Sequence, residues 1–136
     1  MKTAKEIQGD FYTIISKSSL AKTVNGGVYR QGFRPYNSQL EDIVIIFTAG
    51  QNGRYQSGVI TVHIYVPDIV LSDGVYYENG ARTLVLEQAA QKWYESFQST
   101  SDDYHLRLYN TITTEADETN NQHFVVLQFT YKLFID

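Results

Sequence analysis

The chain has no cysteine. Disulfides, cysteine-ligated zinc and thiol catalysis are therefore excluded, and the redox compartment is left open. It also lacks any block of like charge. With 11 Lys and Arg against 15 Asp and Glu, the net charge is −4, and no basic run supplies the footprint that displaces counterions from nucleic acid. Arg30, Arg34 and Arg54 are the residues from which a local basic patch could be built. The N-terminus, Met1-Lys2-Thr3-Ala4-Lys5-Glu6, leads into an amphipathic pattern rather than the apolar stretch of a signal peptide. No segment approaches the length of a membrane span, so the protein is expected to stay in the cytosol of the cell that makes it.

Catalytic motifs are equally scarce. There is no Gly-x-Ser-x-Gly, Gly26-Gly27 lacks the glycine spacing of a phosphate loop, and Gly50-x-x-Gly53 does not precede a helical pattern. The three histidines, His63, His105 and His123, have no ligand partner at metal-site spacing. The adjacent carboxylates Glu41-Asp42 and Asp102-Asp103 point apart in extended chain, which suits turns and solvation better than acid–base pairing. These residues predict no enzyme, no cofactor and no metal.

What is present is enough for one domain spanning 1–136: 43% of 136 residues are hydrophobic. Eleven Tyr and seven Phe make the chain rich in aromatics. Tyrosine suits surfaces that are sometimes wet and sometimes buried, as interfaces are, although it is also simply a good strand residue.

The clearest element is Gly58-Val59-Ile60-Thr61-Val62-His63-Ile64-Tyr65-Val66-Pro67. Alternate strand residues face opposite ways. One face is aliphatic (Ile60, Val62, Ile64, Val66); the other is mixed (Val59, Thr61, His63, Tyr65). Proline ends the strand because it cannot donate to a ladder. Asp42 to Phe47 is a second strand, leading toward Asn52-Gly53, the preferred pair for a type I′ hairpin turn. That turn would set Gln51 opposite Arg54, Ile45 opposite Ile60, Ile43 opposite Val62, and Phe47 opposite Gly58, where a ring would find room. It would also gather Val44, Ile46 and Val59 on the opposite face, too apolar for open water.

The remaining segments follow in order. Thr3 and Glu6 have capping-box spacing, and Ile7, Phe11, Ile14 and Ile15 form a helical stripe that should end near Ser18. Asn25-Gly26-Gly27 is a turn and Val28-Tyr29-Arg30 a short strand. Gln31 to Glu41 is a loop carrying Phe33, Tyr36 and Leu40. Asp68 to Tyr77 is a connection turning at Asp73-Gly74. Asn79 caps a helix from about Gly80 to Phe97, with Leu86, Ala89, Ala90, Trp93 and Phe97 inward. Ser99 to Asp103 is a loop, Tyr104 to Ile112 an alternating strand, and Thr114 to Asn121 a polar, mobile connection. His123 to Phe134 is the last strand, its core face Val125, Leu127, Phe129, Tyr131 and Leu133. The sum is an α+β domain: a mostly antiparallel sheet of about five strands with two helices packed on one face.

The run Gly26-Gly27-Val28-Tyr29-Arg30, then Arg34-Pro35, Asn37-Ser38, Glu41 to Ile45 and Gly58 to Asp68, followed by the helix bearing Arg82, Leu86 and Glu87 and by a closing hairpin, resembles small tailed-phage and prophage tail-terminator (tail-completion) proteins of the head-tail connector. The resemblance covers most of the chain in element order and length. It implies a virion structural protein that forms a ring, usually a hexamer, capping the tail tube and joining it to the head. Its partners would be further copies of itself and the tail-tube and head-connector proteins, without specific nucleic-acid or membrane binding. The subunit interface expected on this reading comprises Phe33, Arg34 and Tyr36 of the loop, Val44, Ile46 and Val59 of the second sheet face, and Arg54 and Tyr55 of the hairpin tip. Two alternatives stand beside it. One is another tail component, of the tube or baseplate. The other is a small ligand- or carbohydrate-binding module using Tyr55, Tyr65, Tyr76, Tyr77 and Trp93.

Overall fold

The computed structural model describes residues 1–98 and 103–134. The chain starts with helix α1 (Ala4–Ser16), and both halves of its capping box are formed: Thr3 accepts from the Glu6 backbone and Glu6 reaches back to the Thr3 N–H. A short helix that the sequence reading did not anticipate, α2 (Ser19–Thr23), follows and buries Leu20. The strands are β1 (Val28–Arg30), β2 (Ile43–Gln51), β3 (Gln56–Pro67), β4 (Ile69–Val70), β5 (Tyr76–Tyr77), β6 (Tyr104–Leu108), β7 (Thr113–Asp117) and β8 (Gln122–Leu133), with helix α3 (Gly80–Gln98) between β5 and β6.

The fold is α+β. The main sheet has the order β1-β2-β3-β8-β6, with β7 also on β8. Only β1–β2 is parallel; every other pairing in the sheet is antiparallel. Strands β6 and β7 lie end to end along β8: β6 pairs with Phe129 to Leu133 and β7 with Gln122 to Val126. Thr113 to Asp117 is therefore a paired strand and not the mobile connection its polarity suggested. The loop expected at Ser99 to Asp103 lies, but for Asp103, outside the described residues, as does Asp102.

The aliphatic face of β3 packs beneath the helices as its alternation predicts. Ile60, Val62, Ile64 and Val66 join Ile43, Ile45, Val125, Leu127, Phe129, Tyr131 and Leu133 in one core with Ile7, Phe11 and Ile15 of α1 and Leu86, Ala90, Trp93 and Phe97 of α3. Phe11 is at its centre, fully buried, with its ring 4.7 Å from Tyr104 and 5.2 Å from Phe129. Tyr104 donates to Asp10 Oδ2 at 2.6 Å, and burial together with that carboxylate pushes its hydroxyl pKa far up.

The β2–β3 register differs from the expected one. Ile45 pairs with Val62 and Ile43 with Ile64, two residues beyond the positions a tight turn would set. Gln51 pairs with Ser57, so the loop is Asn52 to Tyr55, and neither Asn52 nor Gly53 takes the positive φ that a type I′ turn requires. Tertiary bonding explains the wider loop. The Gln56 side chain exchanges two hydrogen bonds with the Lys2 backbone, at 2.7 and 2.8 Å, and a third with Asn52. A bulge at Thr48 absorbs one further residue. Because side chains alternate with period two, an even displacement leaves each residue on its expected face.

Phe47 consequently pairs with Ile60 rather than Gly58. The ring that needs the glycine is Tyr131: a Cβ on Gly58 would lie 2.7 Å from its hydroxyl and overlap the Ala49 carbonyl. Two substitutions test this packing by denaturant titration. Phe11→Ala is expected to lose about 3–5 kcal/mol. Gly58→Ala, although it only adds a methyl, is expected to lose about 1–3 kcal/mol through overpacking.

Candidate functional site

The second face of the sheet is formed by Tyr29, Val44, Ile46, Val59, Thr61, His63, Tyr65, Phe124, Val126, Gln128 and Thr130, by alternation from the core residues. Neither the core cluster nor the partly buried apolar residues packed against it include any of these. The helices lie on the other side. Ile46, Val59, His63, Tyr65, Phe124 and Val126 remain half-buried. His63 stacks 4.5 Å from Phe124, and Tyr65 lies 5.4 Å from the same ring. Across the middle runs a polar line: Thr48 and Thr61 share a 2.6 Å hydrogen bond, Gln128 donates to Thr61, and Asn110 donates to Gln128.

One segment reaches over this face, the Gln31–Glu41 loop, and Asp42 holds it there. The Asp42 carboxylate is fully buried and accepts from Arg34 Nε at 2.8 Å, from the Gly27 backbone at 2.9 Å, and from Ser38. The Arg34 guanidinium lies 4.0 Å from the centre of the Tyr65 ring and also donates to Gln122. Beside it, Glu41 receives Arg82 at 2.6 and 2.9 Å and Asn25 caps the Glu41 N–H. Glu41 and Asp42 do point apart, as expected, but both are buried in ion pairs and neither is a solvated turn residue. A Cβ on Gly26 would overlap the Glu41 carbonyl and the Asp42 carboxylate, so the Asn25-Gly26-Gly27 turn exists for close approach. With its base fixed, the loop presents Phe33 at 70% and Tyr36 at 95% exposure.

The two ends of the sheet differ. From the Pro67 end projects a ribbon of β4 and β5, with Ile69 opposite Tyr77 and Val70 opposite Tyr76. Ser72-Asp73-Gly74 closes it: Gly74 has φ +77 and donates to the Leu71 carbonyl, and Leu71 donates to the Val75 carbonyl. Asp73 accepts from the Val75 N–H and the Tyr77 hydroxyl, bonds that hold its carboxyl below the ordinary range. His123 clasps both roots, with Nδ1 2.7 Å from Asp68 and Nε2 3.7 Å from Glu78. Ile69, Val70, Leu71, Val75, Tyr76 and Tyr77 are all exposed. The sequence reading located the turn but assigned these residues to a connection. The signal was there: Asp-Gly flanked on both sides by apolar and β-branched residues.

The Gln56 end carries Arg54 and Tyr55. Tyr55 meets Phe134 edge-on at 4.6 Å, and Met1, Gln56, Leu133 and Phe134 complete an open cleft of about 320 Å³.

The residues expected at an interface are thus split. Val44, Ile46 and Val59 share the second face, with Arg34 laid over Tyr65; Phe33 and Tyr36 stand out on the loop; Arg54 and Tyr55 lie at the far end. Val44 is almost fully buried between its neighbours and offers little area. No basic patch forms from the three arginines: Arg30 stacks on Tyr12, Arg34 is paired with Asp42, and Arg54 is at the opposite end of β3. The aromatics of a sugar platform do not converge either. Trp93 is core, Tyr76 and Tyr77 are on the ribbon, and Tyr65 is under Arg34. His63, His105 and His123 occupy separate places, and among the described residues no group of three His, Asp or Glu could hold a metal. Among them, too, no helix is long and apolar enough to cross a membrane.

Asp42→Ala should cost about 3–5 kcal/mol, since it strands a buried guanidinium, and should make the loop the first site of limited proteolysis, at Phe33 or Tyr36. Burial pushes the His63 imidazole pKa down, more than the nearby Glu115 carboxylate draws it up. Its contribution to stability is therefore complete above the unfolded value of about 6.5 and is lost as pH falls from there toward the depressed folded value. His63→Gln should flatten that part of a stability-against-pH curve measured by chemical denaturation.

No family model and no curated protein matches the sequence. One solved structure, whose name states no activity, is similar over 96% of this chain and 96% of its own, with a TM-score of 0.50 at 16% identity; the likeness concerns the fold alone.

Proposed function

We propose that the protein is a structural component of a tailed-phage or prophage virion, a tail terminator that assembles as a ring at the head-tail junction. The observation that carries this reading is the second sheet face. It carries half-buried aliphatic and aromatic side chains on either side of the Thr48–Thr61–Gln128 line, and it lies on the side of the sheet away from α1 and α3. A half-exposed apolar strip that no helix of the chain covers offers a partner somewhere to pack. A neighbouring copy is the simplest cover, because heterologous contacts close into a ring when the rotation per subunit closes. The fixed loop with Phe33 and Tyr36 at its crest adds aromatic anchors of the type enriched at interfaces. The choice of terminator among tail components rests on the resemblance in the sequence.

Two measurements test it. In light scattering coupled to size exclusion at high concentration, the protein should form a discrete oligomer, which electron microscopy should image as a ring. Ile46→Glu and Val126→Glu, each placing a charge on the half-exposed face, should weaken that association by about tenfold or more without unfolding the subunit. A monomer at every concentration, or an oligomer indifferent to both substitutions, removes the face from the argument. A phage lacking the protein should in turn yield tails without heads and tubes of uncontrolled length. Normal tube length with defective host attachment would instead indicate a baseplate component.

A further inference from the structure

The β4–β5 ribbon is more exposed than the second face, and nothing in the reading above uses it. Six large apolar residues within nine positions are each 41–54% exposed. They offer on the order of 500 Å² of contact area, most of the roughly 800 Å² per partner in a stable association. A two-stranded ribbon is marginal alone, yet this one is fastened: its turn is closed by Asp73 and Gly74, and both roots are held by His123. Such a fastened, apolar projection is preorganised for docking.

The other end of the same molecule has the opposite character. The open cleft beside the Tyr55–Phe134 ring pair has a mixed lining, with Met1 and Leu133 apolar and Arg54 and Gln56 polar. Arg54 lies at its rim and Lys132 on the adjacent strand, and neither has an ion pair among the described residues. The ribbon, by contrast, is acidic. Its tip carries Asp73; Asp68 and Glu78 flank its roots against His123, and Asp117 and Glu118 lie at the neighbouring end of β7.

From this polarity we infer that the Ile69–Tyr77 ribbon of one copy docks, tip first, into the Arg54–Tyr55–Phe134 cleft of a second copy, with Asp73 opposite Arg54. The occupant must be another molecule. Strand β3 separates the two ends by its full length of 12 residues, about 40 Å, whereas five residues from Asp68 to Asp73 reach at most about 18 Å. A second copy is favoured over a different protein because each chain carries both halves of the contact. A head-to-tail contact of this kind repeats from subunit to subunit. The inference rests on the self-assembly reading above, though not on which virion position the assembly takes.

The test exploits the absence of cysteine. Asp73→Cys protein mixed with Arg54→Cys protein, under mild oxidation, should give a disulfide-linked heterodimer, and each variant alone should give little. Asp73→Asn, which keeps a turn acceptor but removes the charge, should weaken self-association measured by analytical ultracentrifugation by about tenfold. Asp73→Arg and Arg54→Glu should each weaken it more, and the two together should restore it to within about threefold of the wild type. Leu71→Ser tests the apolar part without touching charge, and Lys92→Glu, on the exposed side of α3, should change nothing. An oligomer that survives Asp73→Arg and Leu71→Ser and gives no heterodimer overturns the ribbon docking while leaving assembly through the sheet face standing. A wild-type chain that never self-associates overturns both. Association that appears only when a different tail protein is added overturns the choice of a second copy.

Discussion

The Asp42 carboxylate is the point on which the surface depends. A fully buried charge is tolerated only when its lone pairs are occupied. Here they are, by a guanidinium and a hydroxyl of the loop itself and a backbone N–H of the Asn25-Gly26-Gly27 turn. The same residue's carbonyl accepts the Tyr65 N–H at 2.8 Å, so the carboxylate is anchored to the central strand as well. An eleven-residue loop that would otherwise wander is thereby ordered against the sheet, with Arg34 turned inward and Phe33 and Tyr36 turned out. Glu41 and Arg82 carry the same logic one residue back and tie the loop to the start of α3.

Much of the architecture was legible because alternation is a robust signal. The core faces of β2, β3 and β8, the stripe of α3 and the capping box of α1 were read directly from spacing. Even the misjudged hairpin register preserved both faces, since it erred by an even number beyond the bulge. What spacing could not show was how tertiary bonds override local chemistry. Asn52-Gly53 favours a tight turn, but Gln56 is engaged by the Lys2 backbone and the loop opens. Thr113 to Asp117 has no apolar alternation because β7 is an edge strand whose side chains are largely solvated; its pairing is backbone-driven. Glu41 and Asp42 look like surface carboxylates until their arginine partners, far along the chain or across a loop, are placed.

The candidate site was legible to a lesser degree. The second face was visible as a surplus of apolar residues on the outward side of a strand pair. Its division by the Thr48–Thr61–Gln128–Asn110 line was not, because it needs the bulge to place Thr48 beside Thr61. The ribbon was hidden by its length: four strand residues around a five-residue connection resemble a loop unless the flanking hydrophobicity is weighed. Once placed, the face, the loop crest, the ribbon and the tip cleft lie on different sides of the molecule, and sequence spacing alone does not bring them into one picture.

The outer edges of the sheet add one more constraint. On one side lies β1, three residues long; on the other, β6 and β7 break the edge into two short pieces separated by Tyr109 to Ile112. A long flat edge would recruit any other strand through the backbone, and that route leads to fibrils. Here it is interrupted on both flanks. If copies of this chain assemble as proposed, side chains rather than backbone edges would carry the recognition, and side-chain shape and charge are the more selective of the two. Recognition of that kind, unlike edge pairing, is compatible with growth that closes at a fixed number of subunits.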